Sequence, residues 1–273
     1  MTDINDTERY RVTPGRPFAL ADRDPSDTGA FDGDKKDAEK VFERLNERLE
    51  TLQELLYADQ RHKVLIVLQG MDTSGKDGVI RHVLTGIDPQ NFQITSFKQP
   101  SIEELDHGFL WRIHQAVPRR GNIGVFNRSH YEDVVVVKVI GLIDQDECQR
   151  RYKFINEFER MLVEGGTTVL KFFLHISKEE QLERLRARLD DPKKRWKFSP
   201  TDVEMRKSWD AHQQAYENAL VNCNTEHAPW HIVPSDRKWR RNLVISRVLL
   251  ETMEKMNPQF PKEHPDLDKI VLE

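Results

Sequence analysis

Apolar and polar residues along this chain follow two rhythms, one suited to helices and the other to strands. Between residues 35 and 60, Val41, Phe42, Leu45, Leu49, Leu52, Leu55 and Leu56 recur every three or four positions, the stripe of a long amphipathic helix. Next comes Val64-Leu65-Ile66-Val67-Leu68, an unbroken β-prone run of the kind buried on both faces of a parallel sheet. Helical spacing returns at residues 77–84, and residues 93–97 read as a second strand. Ser101 and Glu104 make a capping box that opens a helix predicted to reach about Ala116. A third strand is expected at 122–126, a helix at 146–164, a strand at 167–174 and a helix from Lys178 to about Leu189. A further helix runs to Val221, a short strand covers 231–234, and a last helix spans 238–256. Strands that alternate with helices imply an α/β fold with a parallel sheet and helices on both faces.

Residues 1–34 are polar, with Pro14 and Pro25, and read as an extended arm packed on the body through Tyr10, Val12 and Phe18. Residues 35–273 then form one domain, consistent with a 273-residue chain. The stripe of the first helix is expected to face its own sheet rather than a partner. Charged residues make up 32% of the chain but the net charge is −4, which argues against general nucleic-acid binding and leaves room for a local basic channel. Cys148 and Cys223 have no metal or redox spacing and suggest a reduced, cytoplasmic setting. The ten histidines show no ligand spacing. No signal core and no stretch of ~20 apolar residues is present, so no export or membrane span is expected.

The chemistry centres on Gly70-Met71-Asp72-Thr73-Ser74-Gly75-Lys76-Asp77, placed between the first strand and a helix. Phosphate oxygens need backbone N–H groups at close range, and a Cβ in such a loop obstructs the approach. The helix start adds unpaired N–H groups and a positive dipole end, and Lys76 adds a point charge. Gly70, Met71, Thr73, Ser74, Gly75 and Asp77 are therefore candidate phosphate or nucleotide contacts. Asp77 stands where a hydroxyl usually touches Mg²⁺, which makes the Asp72 carboxylate the candidate for holding a hard cation. The plainer alternative is a ligand-free turn with the carboxylates as caps.

In an open parallel sheet, ligands bind beyond the carboxyl ends of the strands. Asp72 and Lys76, Lys98, and residues 127–133 are thus expected to converge. Arg128 reads as a guanidinium that grips phosphate, or else as one half of a surface ion pair. Glu132 and Asp133 read as metal-holding or orienting carboxylates, or as caps for the apolar run after them. Arg184 and Arg188 share a helix face, whereas Arg186 points away. They suit a lid over a phosphate, or equally a solvated face paired with Glu179, Glu180 and Glu183. Lys193, Lys194, Arg195 and Lys197, interleaved with Trp196 and Phe198, read as a polyanion track or equally as an ordinary exposed loop, and Arg81 is a further candidate for the track. Phe109 and Trp111 are read as core residues by default, with base stacking as the alternative.

Taken together, these segments resemble the polyphosphate kinase 2 family. The resemblance lies in residues 70–77, 95–100, 109–114, 125–133 and 175–197. It continues at 234–239 and 256–261 and extends to Tyr10-Arg11-Val12 and Pro14-Gly15 in the arm. It implies a three-layer P-loop kinase fold, thymidylate-kinase-like, with a helical lid at about 178–210. It also implies Mg²⁺-dependent, reversible transfer of the terminal phosphate of inorganic polyphosphate to a nucleotide, with Mn²⁺ as a substitute ion. By matching position, Asp72 is the metal carboxylate, Lys76 the phosphate lysine, Arg128 the arginine of the second motif, and Arg184 and Arg188 lid arginines. Many members carry Asp where this chain has Asn127. The Asn-Arg-Ser-x-Tyr-Glu-Asp form resembles the third subclass, whose members accept AMP and ADP, and shifts the expected second metal ligand to Glu132. The expected partners are polyphosphate and AMP, ADP or ATP, and the expected assembly is a homo-oligomer. An ATP-dependent nucleoside or nucleotide kinase of the same fold is one rival reading; a non-catalytic regulator on that fold is the other, against which the retained Lys76, Asp72, Arg128, Glu132 and Asp133 argue.

Overall fold

The computed structural model describes residues 6–29, 31–263 and 265. The first five residues of the predicted arm and the chain end after residue 265 lie outside the described residues. α1 (Lys35–Asp59) leads into β1 (Lys63–Gln69), followed by α2 (Lys76–Val83), β2 (Phe92–Ser96), α3 (Ile102–Asp106), α4 (Trp111–Gln115), β3 (Ile123–Asn127) and α5 (Val136–Val139). Then come α6 (Gln145–Glu164), β4 (Thr167–His175), α7 (Lys178–Asp190), α8 (Pro200–Lys207), α9 (Trp209–Asn222), β5 (Trp230–Pro234) and α10 (Lys238–Met256).

Two predicted helices are interrupted. The one opened by Ser101 stops at Asp106, because His107 is extended (φ −103°, ψ 168°) and Gly108 follows it. Its capping box is in place, with Glu104 N donating to Ser101 Oγ at 3.2 Å and Ser101 N to Glu104 Oε2 at 2.8 Å. The second break is at Ser208, whose hydroxyl bonds back to the carbonyls of Glu204 and Met205 and competes with the helical ladder.

The five strands pair in parallel in the order β2-β3-β1-β4-β5. From the central β1 the chain builds one side of the sheet, then crosses to build the other. The crevice of such a sheet opens where that reversal occurs, beyond the carboxyl end of β1. Register carries two further strand ends to the same place, since Leu68 and Ser96 both lie opposite Asn127. Side chains of β1 alternate between two cores. Val64, Ile66 and Leu68 meet the stripes of α1 and α10, while Leu65 and Val67 meet α4, α6 and α9. The arm covers the outer strand: Tyr10 and Val12 are buried, Val12 N donates to the Trp230 carbonyl at 2.8 Å, and Arg11 pairs with His231. Cys148 and Cys223 are buried and unbridged.

One charged residue interrupts the apolar run of β4. Lys171 is fully buried, and its Nζ donates to Glu159 Oε2 at 2.6 Å, Tyr131 OH at 2.9 Å and the Cys223 carbonyl at 2.7 Å. Tyr131 OH donates to Glu159 Oε1 at 2.8 Å, and His130 Nε2 lies 3.2 Å from the same oxygen. Burial opposes ionisation of Glu159, but Lys171 and His130 outweigh it and hold the carboxyl below its usual range. The cluster fastens the turn after β3 to β4, α6 and the end of α9. Lys171→Met strands a buried carboxylate and is expected to cost about 3–5 kcal/mol in denaturant unfolding. Lys171→Met with Glu159→Gln should recover most of that loss, and a single variant as stable as wild type contradicts this account.

Candidate active site

Backbone conformation at the end of β1 is one that few residue types adopt. Gly70 (φ 142°) and Gly75 (φ 108°) are left-handed, and a Cβ on Gly70 would lie 2.7 Å from the Leu174 carbonyl. Thr73 (φ 63°) and Arg128 (φ 62°) adopt positive φ with side chains, a strain held by the surrounding structure.

The carbonyls of the loop are each engaged from behind. Gly70 O accepts from Lys76 Nζ at 2.8 Å and Tyr216 OH at 3.2 Å. Met71 O accepts from Ser74 N at 3.1 Å and Lys76 Nζ at 3.3 Å, and Asp72 O from Gln181 Nε2 at 3.2 Å. Thr73 O accepts from Arg184 at 2.9 Å, and Ser74 O from Arg184 at 3.1 Å and Arg241 at 3.2 Å. Gly75 O takes the N–H of Val79 at 3.0 Å. Among the described residues, the N–H groups of Gly75, Lys76 and Asp77 have no protein acceptor, and Thr73 Oγ1 and Ser74 Oγ are buried without a partner. A loop whose oxygens are held back and whose N–H groups are free is a receptor for an anion.

Charges around it are coupled. Arg128 Nη2 donates to Asp72 Oδ1 at 2.7 Å. Burial works against the Arg128 charge, but Glu132 and Asp72 outweigh it and raise it above its ordinary value. Burial and then Arg128 push Lys76 down, opposed by Asp72, Glu132 and Asp77. Burial lifts the Glu132 carboxyl against the pull of Arg128 and Lys76. With the Gln69 amide oriented to suit its neighbours, its nitrogen donates to Glu132 Oε1 at 3.0 Å and its oxygen accepts from Ser129 N and Oγ. Asn127 Nδ2 donates to Asp77 Oδ1 at 2.8 Å.

The loop opens into a cleft of about 1480 Å³ whose lining holds eleven lysines and arginines against six carboxylates, on a chain of net charge −4. Of the residues singled out by sequence, Asp72, Thr73, Gly75, Lys76, Asp77, Lys98, Asn127 and Arg128 line it, as do Arg81, Arg184, Arg188, Lys194 and Lys197. Arg186 does not, in keeping with the helical phase. Gly70, Met71 and Ser74 shape the loop from behind. Some expectations are corrected. Asp133 turns away from the loop to Arg112 (3.5 Å), because successive residues of a 3₁₀ turn diverge by about 120° and only Glu132 faces Lys76. Lys193 and Arg195 lie off the cleft, Arg195 Nε donating to the Leu189 carbonyl near the end of α7 at 2.6 Å. Arg184 is not a free lid arginine. Its five N–H groups are spent on Glu180, Thr73, Ser74, Ser235 and Asp236, so it clamps the loop to the start of α10. Arg188 Nη1 meets Asp202 Oδ2 at 3.3 Å. Phe109 and Trp111 line a separate apolar groove with Phe154, away from the cleft.

Several residues escaped the sequence reading. Arg241 and Tyr216 support the loop, and Lys238 extends the basic wall. Arg241 was discoverable by phase, since it lies one and two turns before the buried Ile245 and Leu249. Tyr216 gave no such signal.

A glycine loop between the central strand and a helix, in a parallel sheet with basic residues from several segments around it, defines a P-loop kinase-like phosphotransferase. The family model for polyphosphate kinase 2 matches residues 32–261. The chain is 52% identical to an AMP/ADP-polyphosphate phosphotransferase of Meiothermus ruber, over 97% of this chain and 100% of the relative. It is 44% identical to an ADP-polyphosphate phosphotransferase of Rhodopseudomonas palustris, over 98% and 96%. Its fold superposes on the crystal structure of polyphosphate kinase 2 from Arthrobacter aurescens with a TM-score of 0.94 and 43% identity, covering 98% of this chain and 95% of that one. The chain belongs to the polyphosphate kinase 2 family. No helix among the described residues is long and apolar enough to cross a membrane.

Strain and function separate at Arg128. Arg128→Gly relieves a positive φ and is expected to leave unfolding stability unchanged or up to ~1 kcal/mol higher, while lowering turnover by about 10²–10⁴. Lys76→Ala should lose turnover on the same scale. Near-normal turnover in either folded variant removes that residue from the site.

Proposed function

We propose that this protein transfers the terminal phosphate of inorganic polyphosphate to AMP and ADP, reversibly, in the cleft above the phosphate loop. The observation that carries the reading is the loop itself, with oxygens held back, N–H groups free and a strongly basic cleft in front. The family and the printed activities of its relatives support the same reading. An oxygen of the nucleotide's terminal phosphate attacks the last phosphorus of the chain. The new P–O bond forms as the bridging P–O bond breaks, and the electron pair leaves on the shortened chain.

Such transfer needs little covalent help and depends on in-line placement and charge neutralisation. Lys76, Arg128 and the loop N–H groups face the developing charge; Arg188, Lys194 and Lys197 hold the polyanion from the 178–207 side as a lid. A nucleotide's terminal phosphate is largely ionised near neutral pH, with a second pKa of about 6, so a strong base is unnecessary and Glu132 serves to orient.

The oxygen donors present suit a divalent cation. Among the described residues there is no cluster of three or more His, Cys, Asp or Glu side chains, but Mg²⁺ requires only one or two carboxylates plus waters and substrate phosphates. Asp72, at the cleft, and Glu132, beside Lys76, would hold it. There it would neutralise charge on the two reacting phosphates. Arg128, which donates to Asp72 Oδ1 at 2.7 Å, would be free to turn to substrate wherever that carboxylate held the ion instead.

Protein, long-chain polyphosphate, Mg²⁺ and either AMP or ADP, with no ATP added, should yield ADP from AMP and ATP from ADP. No product with either acceptor, alongside turnover driven by ATP, establishes the rival nucleotide kinase. The apparent KM for polyphosphate should rise with NaCl as exposed cations are screened.

A further inference from the structure

Arg241 lies in the first turn of α10, beneath the phosphate loop, and only 2% of it is exposed. A guanidinium buried this far ordinarily faces a carboxylate. Among the described residues Arg241 pairs with none. Its Nη1 donates to the Ser74 carbonyl at 3.2 Å, and Nε and Nη2 donate to Asn242 Oδ1 at 3.1 and 2.8 Å. Burial and the like charge of Arg184 push its pKa down to about 9.

Two glycines make room for it. A Cβ on Gly75 would overlap the guanidinium, and one on Gly78 would come within 3.0 Å of Nη2. Gly78 lies inside α2, where glycine weakens a helix relative to alanine. The fold thus gives up helix stability at Gly78 and solvation at Arg241 to keep a cation directly behind the N–H groups of the loop. Packing alone does not ask for this, because an uncharged side chain of similar length fills the same space without the desolvation penalty.

We propose that Arg241 is a positioning residue whose counter-charge is the phosphate bound in the loop. It holds the Ser74 carbonyl back and adds its field to the anion site, so it destabilises the free protein and strengthens phosphate binding. This rests on the reading that the loop binds an inorganic phosphate chain.

Tripolyphosphate titrated by calorimetry into wild type, Arg241→Met and Arg241→Lys, in phosphate-free buffer, tests it, with melting temperatures measured with and without the ligand. Arg241→Met should melt at or above the wild-type temperature when free and bind about tenfold more weakly, as expected for loss of a charge aimed at an anion. Arg241→Lys, which keeps the charge, should bind within about threefold of wild type. Arg241→Met binding within about twofold of wild type overturns the proposal. So does a loss of about tenfold in Arg241→Lys, or a free Arg241→Met protein that melts more than about 5 °C lower, which would make Arg241 a structural support only. If wild type itself fails to bind tripolyphosphate, the proposed function falls instead.

Discussion

The site depends on one constraint: a peptide loop can present N–H groups to an anion only if its carbonyls are satisfied elsewhere. Each peptide unit is a dipole, and a loop whose oxygens were free to turn inward would repel an anion placed against it. Here the oxygens of residues 70–75 are met by Tyr216, Gln181, Arg184, Arg241 and the N–H of Val79, with Lys76 Nζ also on those of Gly70 and Met71. These donors come from α2, α7, α9 and α10, so the loop is oriented by four helices at once. The glycines follow from the same demand, because the backbone approaches Leu174 and Arg241 too closely for a Cβ.

The sheet supplies the other half of the arrangement. Parallel register brings the ends of β1, β2 and β3 level, so Lys98 and Arg128 reach the same cleft as the loop. Arg128 keeps its left-handed backbone because both sides of it are fastened. Its own N–H donates to the Leu68 carbonyl, and the following turn is pinned through His130 and Tyr131 to the Glu159–Lys171 pair. A buried ion pair is a poor source of net stability, but it fixes geometry firmly when every donor and acceptor is used. Strain at Arg128 and burial at Lys171 are thus two ends of one device that aims a guanidinium at Asp72.

Much of this was legible in the residues. Strand positions came out within about a residue or two because apolar runs buried on both faces leave few alternatives. Helices were joined too readily at Gly108 and Ser208, where local hydrogen bonding overrides a continuous apolar pattern. The glycine loop, and the meeting of Lys76, Asp72 and Arg128 at one cleft, were readable because a strand-to-helix turn of this kind places strict demands on local backbone and parallel strand ends lie level. Glu132 and Asp133 were not separable, since their divergence depends on the tight turn that carries them. Arg184 was placed correctly on its face of α7, but the carbonyls that consume its donors come from segments far away in sequence. Lys171 carried a visible signal as a lone charge in an apolar strand, whereas its partners are set only by tertiary packing.

The most direct measurement is a crystal structure of the protein soaked with tripolyphosphate. The account predicts the terminal phosphate bonded to the N–H groups of Gly75, Lys76 and Asp77, with Nζ of Lys76 turned from the Gly70 and Met71 carbonyls toward it. A chain bound elsewhere in the cleft, with Lys76 still on those carbonyls and the N–H groups unengaged, would contradict it.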